Sequence, residues 1–335
     1  MEKKDIVKKW NSFMDQHRQR FCDNRARGMV THDTLEFPIM WDRSMPVLEH
    51  LFYLYRYYIA EVKEFCGCDE ADDTVKTIED ICNGILNSYR IYKDKGIVDA
   101  VAELRKIECL KDVLEATNGV VEKDTNLYRL RSDTEIKKVK DDFMHVPFDR
   151  TYLCSSMRFS LPGEPCLYLG YSKEVCRIEL EKYHGGSIGH FKTNQEISII
   201  DLTLSQLQKK EVNLFELWPI LAACYVAPDR TGNFKEEYIF PQIIMRYIKD
   251  EFFACEKPKY FGIGYYTCRK PDLDPHCEEY LNVALFAKQR KGEKDGEKIV
   301  GEKDNNAPID INEKYPFHIT SRFDMELWKK LEFLP

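Results

Sequence analysis

The sequence lacks the paired cysteines from which a structural zinc site is built. Its twelve cysteines include no C-x-x-C pair, and only Cys66 and Cys68 are close neighbours. A site built from chelating pairs needs two of them, or one pair with histidines at ligand spacing. The chain also opens without the apolar segment of a secretion signal. Many thiols without a disulfide framework are typical of a reducing compartment, so we expect a cytoplasmic protein that needs no metal.

Long hydrophobic runs and an excess of positive charge are also absent. The longest apolar stretch, residues 47–62, contains Glu49, His50, Arg56 and Glu61, which disfavour a membrane-spanning helix. Lysine and arginine number 50 against 57 aspartate and glutamate residues, which gives a net charge of −7. This balance disfavours broad nucleic-acid binding and polybasic membrane association. What the 335 residues do contain is 43% hydrophobic side chains, enough for one large domain or two.

The first third of the chain has the periodicity of helices. Between Val75 and Tyr89, apolar residues recur at spacings of three and four. This spacing indicates one buried helix face. Residues 45–65 are a second helix candidate, and residues 98–110 repeat the pattern more weakly. A polar, turn-rich stretch then follows, and we predict a helical N-terminal accessory domain over residues 1–120.

The remainder of the chain mixes short strands with helices, which predicts an α+β domain over residues 121–335. Short β-type runs stand between stretches that have helical spacing. The predicted strands cover residues 127–131, 166–170, 197–202, 260–267 and 281–287, and the predicted helices cover residues 173–183, 214–225 and 236–252.

Familiar catalytic motifs are absent from the sequence. It has no H-E-x-x-H, G-x-S-x-G or EF-hand pattern, and its glycine-rich stretches lack the residues that bind phosphate in nucleotide-binding loops. Arg27 and His32 have the Arg-x4-His spacing of a class of small helical ribonucleases. One alternative function is therefore an RNA-cleaving helical N-terminal module, and the competing interpretation is that residues 1–27 form a solvated helix face.

Charged residues on the predicted C-terminal elements form the strongest candidate site. Arg129 and Arg131 lie on one face of a short strand, because strand side chains alternate between faces. Glu179 interrupts the apolar stripe of a predicted helix. A carboxylate among apolar neighbours is costly unless it is paired. Either Arg158 or Arg177 satisfies it in a structural role, or Glu179 is functional, and the residues alone leave both readings open.

An ordered set of motifs resembles one known family. Arg158, Tyr168 and Glu179, within and after the run Arg-Phe-Ser-Leu-Pro-Gly-Glu-Pro-Cys-Leu-Tyr-Leu-Gly, are spaced as in the Arg-Glu-Ser (RES) domain family. The resemblance covers roughly residues 127–287, about half of the chain. Further matches in the same order are Tyr128-Arg129, Phe143-Met-His-Val-Pro-Phe148, Tyr238-Ile-Phe-Pro-Gln242, Gly262-Ile-Gly-Tyr-Tyr-Thr267 and Asn282-Val-Ala-Leu-Phe286.

The resemblance implies a fold similar to that of ADP-ribosyltransferase toxins, with a split β-core around an NAD cleft. It implies an enzyme that consumes NAD+ and breaks its nicotinamide–ribose bond by phosphorolysis, hydrolysis or ADP-ribosyl transfer. Members often act as toxins and pair with an antitoxin, so an antitoxin or regulatory protein is an expected partner. A homo-oligomer is left open, and neither a membrane nor nucleic acid is expected. A non-catalytic NAD-binding sensor is the alternative within the same resemblance.

The family's positions imply three catalytic residues, Glu179, Arg158 and Tyr168. In this chemistry a carboxylate binds the ribose hydroxyls and stabilises an oxocarbenium-like centre. An aromatic ring stacks on the nicotinamide or the ribose, which adds about 0.5–1.5 kcal/mol beyond burial. His145 is expected to be a structural hydrogen-bonding residue and not a general base.

Four further residues are predicted to bind NAD+. Arg129 falls on a family position, and Arg131 shares its strand face. The family's serine falls on Thr267, where the extra methyl group puts ligand orientation in question. Tyr265 and Tyr266 alternate faces, so only one of them can line a cleft, and Tyr265 is the one predicted to do so.

Overall fold

The structure is a computed structural model in which a helical layer precedes and covers a mixed β-sheet. The structure describes residues 8–17, 19, 35–41, 44–67, 73–131, 140–180, 186–203, 213–228, 234–255, 257–269, 277–289 and 324–334. Arg27 and His32 lie outside these residues, so the RNA-cleaving module stays a prediction.

The N-terminal part is helical, as the sequence predicts. A helical segment over residues 8–17 comes first. Longer helices bury the apolar face that their spacing indicates, and the helix predicted around residues 75–89 is confirmed. The helices are α1 (Val47–Cys66), α2 (Asp73–Lys95), α3 (Ile97–Leu104) and α4 (Leu110–Ala116).

Eight strands form one sheet, which confirms the predicted α+β fold. Its spatial order is β1-β5-β6-β7-β3-β2-β4-β8. Neighbouring strands are antiparallel except β5 and β6, which run parallel. The strands are β1 (Asn118–Val121), β2 (Asn126–Arg131), β3 (Cys166–Gly170), β4 (Ser187–Thr193), β5 (Ile197–Asp201), β6 (Gly262–Tyr266), β7 (Leu281–Phe286) and β8 (Leu331–Leu334).

The sheet opens between β2 and β3. β2 pairs with β4 along its whole length, but it meets β3 only at Tyr128, opposite Gly170. Gly170 is required at this junction, because a Cβ there would lie 2.4 Å from Cγ1 of Val175 in the helix that follows β3. Beyond this point the two halves of the sheet separate. The gap between them holds the candidate site.

Five further α-helices belong to the described part of the chain. They are α5 (Lys140–Phe143), α6 (Lys173–Glu179), α7 (Leu214–Cys224), α8 (Ile239–Ile248) and α9 (Met325–Lys330). α7 is buried on nearly every side, as expected for a helix that lies between the N-terminal helices and the sheet. α8 continues into a π-helical turn, Lys249–Phe253.

The N-terminal helices share one hydrophobic core with α7 and α8. The ring of Tyr58 stacks on Trp218 with centroids 4.2 Å apart, and its hydroxyl donates to the carbonyl of Phe215 at 2.8 Å. Tyr55 donates to the carbonyl of Pro219 at 2.7 Å. The sheet begins at Asn118, just before the predicted boundary. The division into two domains near residue 120 stays a prediction.

His145 links the C-terminal segment to the rest of the sheet. Its Nε2 accepts a hydrogen bond from the backbone N–H of Asp324 at 3.0 Å, and its Nδ1 donates to the carbonyl of Val146 at 2.8 Å. This arrangement requires a neutral ring that carries its proton on Nδ1. Burial lowers the pKa of His145 to about 4. The ring is therefore structural, in agreement with the sequence interpretation.

The buried neutral His145 predicts a loss of stability in mild acid. The unfolded chain takes up a proton near pH 6.5, whereas the folded ring, with a pKa of about 4, does not. The folded protein is therefore penalised as the pH falls through this window, by about 2 kcal/mol between pH 7 and pH 5. Urea unfolding at several pH values measures this effect. His145→Gln keeps an acceptor but does not titrate, so its free energy of unfolding should fall less steeply with decreasing pH than that of the wild type. The same pH dependence in both proteins would contradict a buried neutral His145.

Candidate active site

A cleft of about 270 Å³ lies where β2 and β3 separate. Its floor is one face of β3, β7 and β6, because Tyr265, Asn282 and Gly170 are cross-strand neighbours and Tyr168 lies two residues before Gly170. Its walls come from β2, from the loop of residues 154–164 and from the end of α6. Five of the seven predicted site residues line it, and these are Arg129, Arg131, Tyr168, Glu179 and Tyr265.

The basic wall of the cleft is β2. Arg129 donates through Nη1 to the carbonyl oxygen of Phe143 at 2.9 Å and also to that of Met144. Burial, together with the charge of Arg131, lowers the pKa of Arg129 to about 10, where the guanidinium still carries its charge at neutral pH. The side chain of Arg131 makes no hydrogen bond or ion pair with any residue that the structure describes. Arg129 therefore shapes the wall, and Arg131 is the cation available to an anionic ligand.

The acidic wall is the C-terminal end of α6, which places Glu179. Ser172 caps the start of this helix by accepting from the backbone N–H of Val175 at 2.9 Å. Oε2 of Glu179 accepts from Nε of Arg269 at 3.0 Å, and Oε1 accepts from Nδ2 of Asn282 at 3.4 Å. The carboxylate is thus held at both oxygens while it faces the cleft.

The partner of Glu179 differs from both candidates that the sequence offered. Arg177 lies 3.7 Å from Glu174 on the exposed side of α6. Arg158 bonds elsewhere in the structure. The ion pair of Glu179 is formed by Arg269, which follows β6. Both candidates were chosen because they are close to Glu179 in the sequence, whereas the actual partner lies in the segment after β6.

Two tyrosines stand on the floor of the cleft. Tyr168 donates to Oγ of Ser160 at 3.1 Å and accepts from the backbone N–H of Phe159 at 3.1 Å. Tyr265 packs its ring on Phe159 with centroids 4.9 Å apart. Burial raises the pKa of both phenols well above the usual value, so both are neutral. Tyr265 lines the cleft and Tyr266 does not, as the alternation of strand side chains requires.

Arg158 lies outside the lining of the cleft. Its Nη1 donates to the carbonyl of Cys224 at 2.7 Å, and its Nη2 donates to the carbonyl of Val226 at 3.2 Å. The guanidinium also stands over the ring of Tyr238, 5.0 Å from its centroid. Cys224 is the last residue of α7, so Arg158 caps that helix. The geometry fits a positioning residue for the loop that forms the cleft wall.

Thr267 also lies outside the lining. Its Oγ1 accepts from the backbone N–H of Arg269 at 3.3 Å, and its own N–H donates to the carbonyl of Tyr280 at 3.2 Å. Arg269 in turn binds Glu179. The threonine hydroxyl therefore fixes the segment that carries the ion-pair partner of the carboxylate.

A polar stripe on α8 holds the loop of residues 154–164. Nε2 of Gln242 donates to Oγ of Ser156 at 2.7 Å and to the carbonyl of Met157 at 2.8 Å. Arg246 and Lys249, on the same helical face, pair with Glu164 at 2.8 and 2.9 Å. The cleft wall is thus tied to a helix that packs on the N-terminal layer.

Three residues that shape the site, Asn282, Arg269 and Gln242, were not among the site residues predicted from the sequence. Asn282 and Gln242 are buried polar residues within apolar elements. A polar residue inside an otherwise apolar strand or helix is itself a signal, because it needs a partner when it is buried. Arg269 follows a strand in a polar stretch and offered no such signal.

Among the described residues, no group of three histidine, cysteine, aspartate or glutamate side chains is arranged to hold a metal ion. Within the same part of the chain, each helix is too short or too polar to cross a lipid bilayer.

Comparison with known proteins finds a similar protein in a bacterium. The chain is 29% identical over 245 residues to a Bacillus subtilis (strain 168) protein named "Putative toxin YopC". The match covers 66% of this chain and 53% of YopC, so the chain spans about half the length of that relative. No family model matches the chain, and no solved structure matches it.

Proposed function

We propose that the chain is an NAD-degrading toxin or defence effector that cleaves the nicotinamide–ribose bond of NAD+. One observation carries the proposal, namely that the cleft combines a cation without a partner among the described residues, Arg131, with a fixed carboxylate, Glu179, above a floor of tyrosines. The similarity to YopC supports a toxin function. The resemblance to the Arg-Glu-Ser family supports NAD+ as the substrate. The separation of β2 and β3 agrees with the split β-core that this resemblance implies.

The reaction breaks the bond between C1′ of the ribose and N1 of the nicotinamide ring. The electron pair of that bond leaves with N1, so nicotinamide departs as a neutral molecule. The ribose carbon becomes oxocarbenium-like, and a carboxylate beside it stabilises the developing positive charge. Water, phosphate or a protein side chain then forms the new bond to C1′. When water attacks, one proton is released.

The size of the cleft agrees with part of the substrate lying inside it. Its 270 Å³ is near the lower end of ligand pockets, which occupy about 300–1,000 Å³. The nicotinamide and its ribose would lie above Tyr168 and Tyr265, between Glu179 and Arg131. Arg131 would bind the pyrophosphate through charge-assisted hydrogen bonds. The adenosine would lie at the mouth of the cleft.

The contacts of Glu179 suit this role. Arg269 and Asn282 each hold one carboxylate oxygen, so the side chain is oriented before substrate arrives. Groups oriented in advance stabilise charge in the transition state without reorganising as the reaction proceeds. An inhibitory partner protein is part of the proposal, because a cell that makes an NAD-degrading enzyme must restrain it.

Arg131→Ala is expected to raise the KM for NAD+ by about 10- to 100-fold with a smaller change in kcat. The reason is the loss of a charge-assisted hydrogen bond to the substrate, worth about 1.5–3 kcal/mol. Steady-state kinetics on the purified chain measure it. Arg177→Ala, which removes an exposed arginine of α6, is the matched control. An unchanged KM in Arg131→Ala would mean that the pyrophosphate binds elsewhere.

Expression in a bacterial host tests the proposed function. We expect intracellular NAD+ to fall before growth stops, and Arg131→Ala to delay both events. Growth arrest at a constant NAD+ concentration would contradict the proposal, and RNA cleavage under those conditions would favour the N-terminal alternative. Tight NAD+ binding by the purified protein without product would favour a sensor.

A further inference from the structure

Two largely buried polar side chains on the cleft floor each have one atom without a hydrogen-bond partner in the part of the chain that the structure describes. Tyr265 and Asn282 stand opposite each other on β6 and β7 and are only 6% and 5% exposed. Within the described residues, neither the Tyr265 hydroxyl nor the Asn282 amide oxygen has a hydrogen-bond partner. Both residues line the cleft, so these two atoms open onto it and are available to a ligand.

Glu179 fixes the direction in which the Asn282 amide points. A carboxylate only accepts hydrogen bonds, so the NH2 group of Asn282 must face it, at 3.4 Å. The amide oxygen is therefore turned away from Glu179, and it can accept a hydrogen bond from a ligand in the cleft. Tyr265 beside it is a neutral phenol that can donate. The floor thus presents an acceptor and a donor side by side.

We propose that Asn282 and Tyr265 recognise the carboxamide of the leaving group. The amide oxygen of Asn282 accepts from the carboxamide N–H, and the Tyr265 hydroxyl donates to the carboxamide oxygen. This inference rests on the proposed function, and it defines the substrate class as a dinucleotide with an uncharged carboxamide. A nicotinic acid dinucleotide brings a carboxylate with no N–H donor, and Glu179 nearby repels that charge.

Discrimination between NAD+ and its nicotinic acid analogue tests the inference on the purified full chain. The wild type should prefer NAD+ by at least about 100-fold in kcat/KM, because a site built to hydrogen-bond a group rejects an analogue without it. Asn282→Leu should reduce that ratio at least about tenfold. Asn126→Leu, at the exposed start of β2, should leave the ratio unchanged. Thermal unfolding of each variant verifies that it is folded.

Asn282→Asp separates recognition of the ligand from support of Glu179. Aspartate keeps an acceptor for the carboxamide but loses the donor to Glu179. It should therefore lower kcat for NAD+ while it keeps the preference over the analogue. If Asn282 only supports Glu179, the Leu and Asp variants will both have a lower kcat, and both will keep the wild-type preference for NAD+ over the analogue. That result overturns the inference.

Binding of free nicotinamide and free nicotinic acid gives a readout without turnover. Ligand-observed NMR on the full chain should detect nicotinamide and not nicotinic acid, and Asn282→Leu should weaken the nicotinamide signal. NAD+ consumption with equal use of both dinucleotides would overturn the inference and leave the proposed function standing. No NAD+ consumption and no nicotinamide binding would overturn both.

Discussion

Glu179→Gln is expected to lower NAD+ cleavage by about 100- to 1,000-fold while the protein remains folded. Glutamine has the size of glutamate but no charge, so it cannot stabilise the oxocarbenium-like ribose. The contact with Asn282 can persist, because the glutamine oxygen still accepts from Nδ2. Nicotinamide release by the purified variant measures the loss, and thermal unfolding measures the fold.

A second glutamate on the same helix provides the matched control. Glu174 lies in the first turn of α6, is partly exposed and pairs with Arg177 outside the cleft. Glu174→Gln removes the same charge from the same helix and is expected to keep wild-type turnover. Equal activity of Glu179→Gln and the wild type would remove the carboxylate from the chemistry.

Arg158→Ala is expected to lower the free energy of unfolding by about 2–6 kcal/mol, about 1–3 kcal/mol for each buried carbonyl that loses its donor. The buried guanidinium satisfies the carbonyls of Cys224 and Val226 and stands over Tyr238. Its removal leaves two buried acceptors without partners and the end of α7 uncapped, which accounts for the cost. Denaturant unfolding measures the change.

The same variant decides between a structural and a catalytic role for Arg158. Arg158→Lys should recover part of the stability, since one ammonium can satisfy one of the carbonyls. Arg150→Ala, at an exposed arginine on the preceding turn, should cost little. An Arg158→Ala protein with wild-type stability and no NAD+ cleavage would place Arg158 in the chemistry.

The sequence predicted best those elements that have a strong apolar pattern. Helix α2 and the core strands β3, β6 and β7 have strong apolar patterns, and they were found near their observed bounds. Strand β4 was missed because glycine and threonine occupy two of its inward positions, which hides the alternation. Strands β1 and β8 were missed because each has only four residues and lies at an edge of the sheet.

Only those features of the site that depend on the alternation of side chains within one strand could be predicted from the sequence. Alternation along β2 was enough to place Arg129 and Arg131 together, and alternation along β6 limited the choice between Tyr265 and Tyr266. The ion pair of Glu179 could not be predicted in this way. Its partner Arg269 lies 90 positions later in the chain, in the segment after β6, and only the folded sheet brings the two together.

The most direct measurement incubates the purified full chain with NAD+ and follows nicotinamide and NAD+ together over time. The account predicts that one nicotinamide appears for each NAD+ lost, in many turnovers, with Glu174→Gln equal to the wild type and Glu179→Gln nearly inactive. It would be contradicted if NAD+ stayed intact at an enzyme concentration equal to that of the substrate, or if Glu179→Gln released nicotinamide at the wild-type rate.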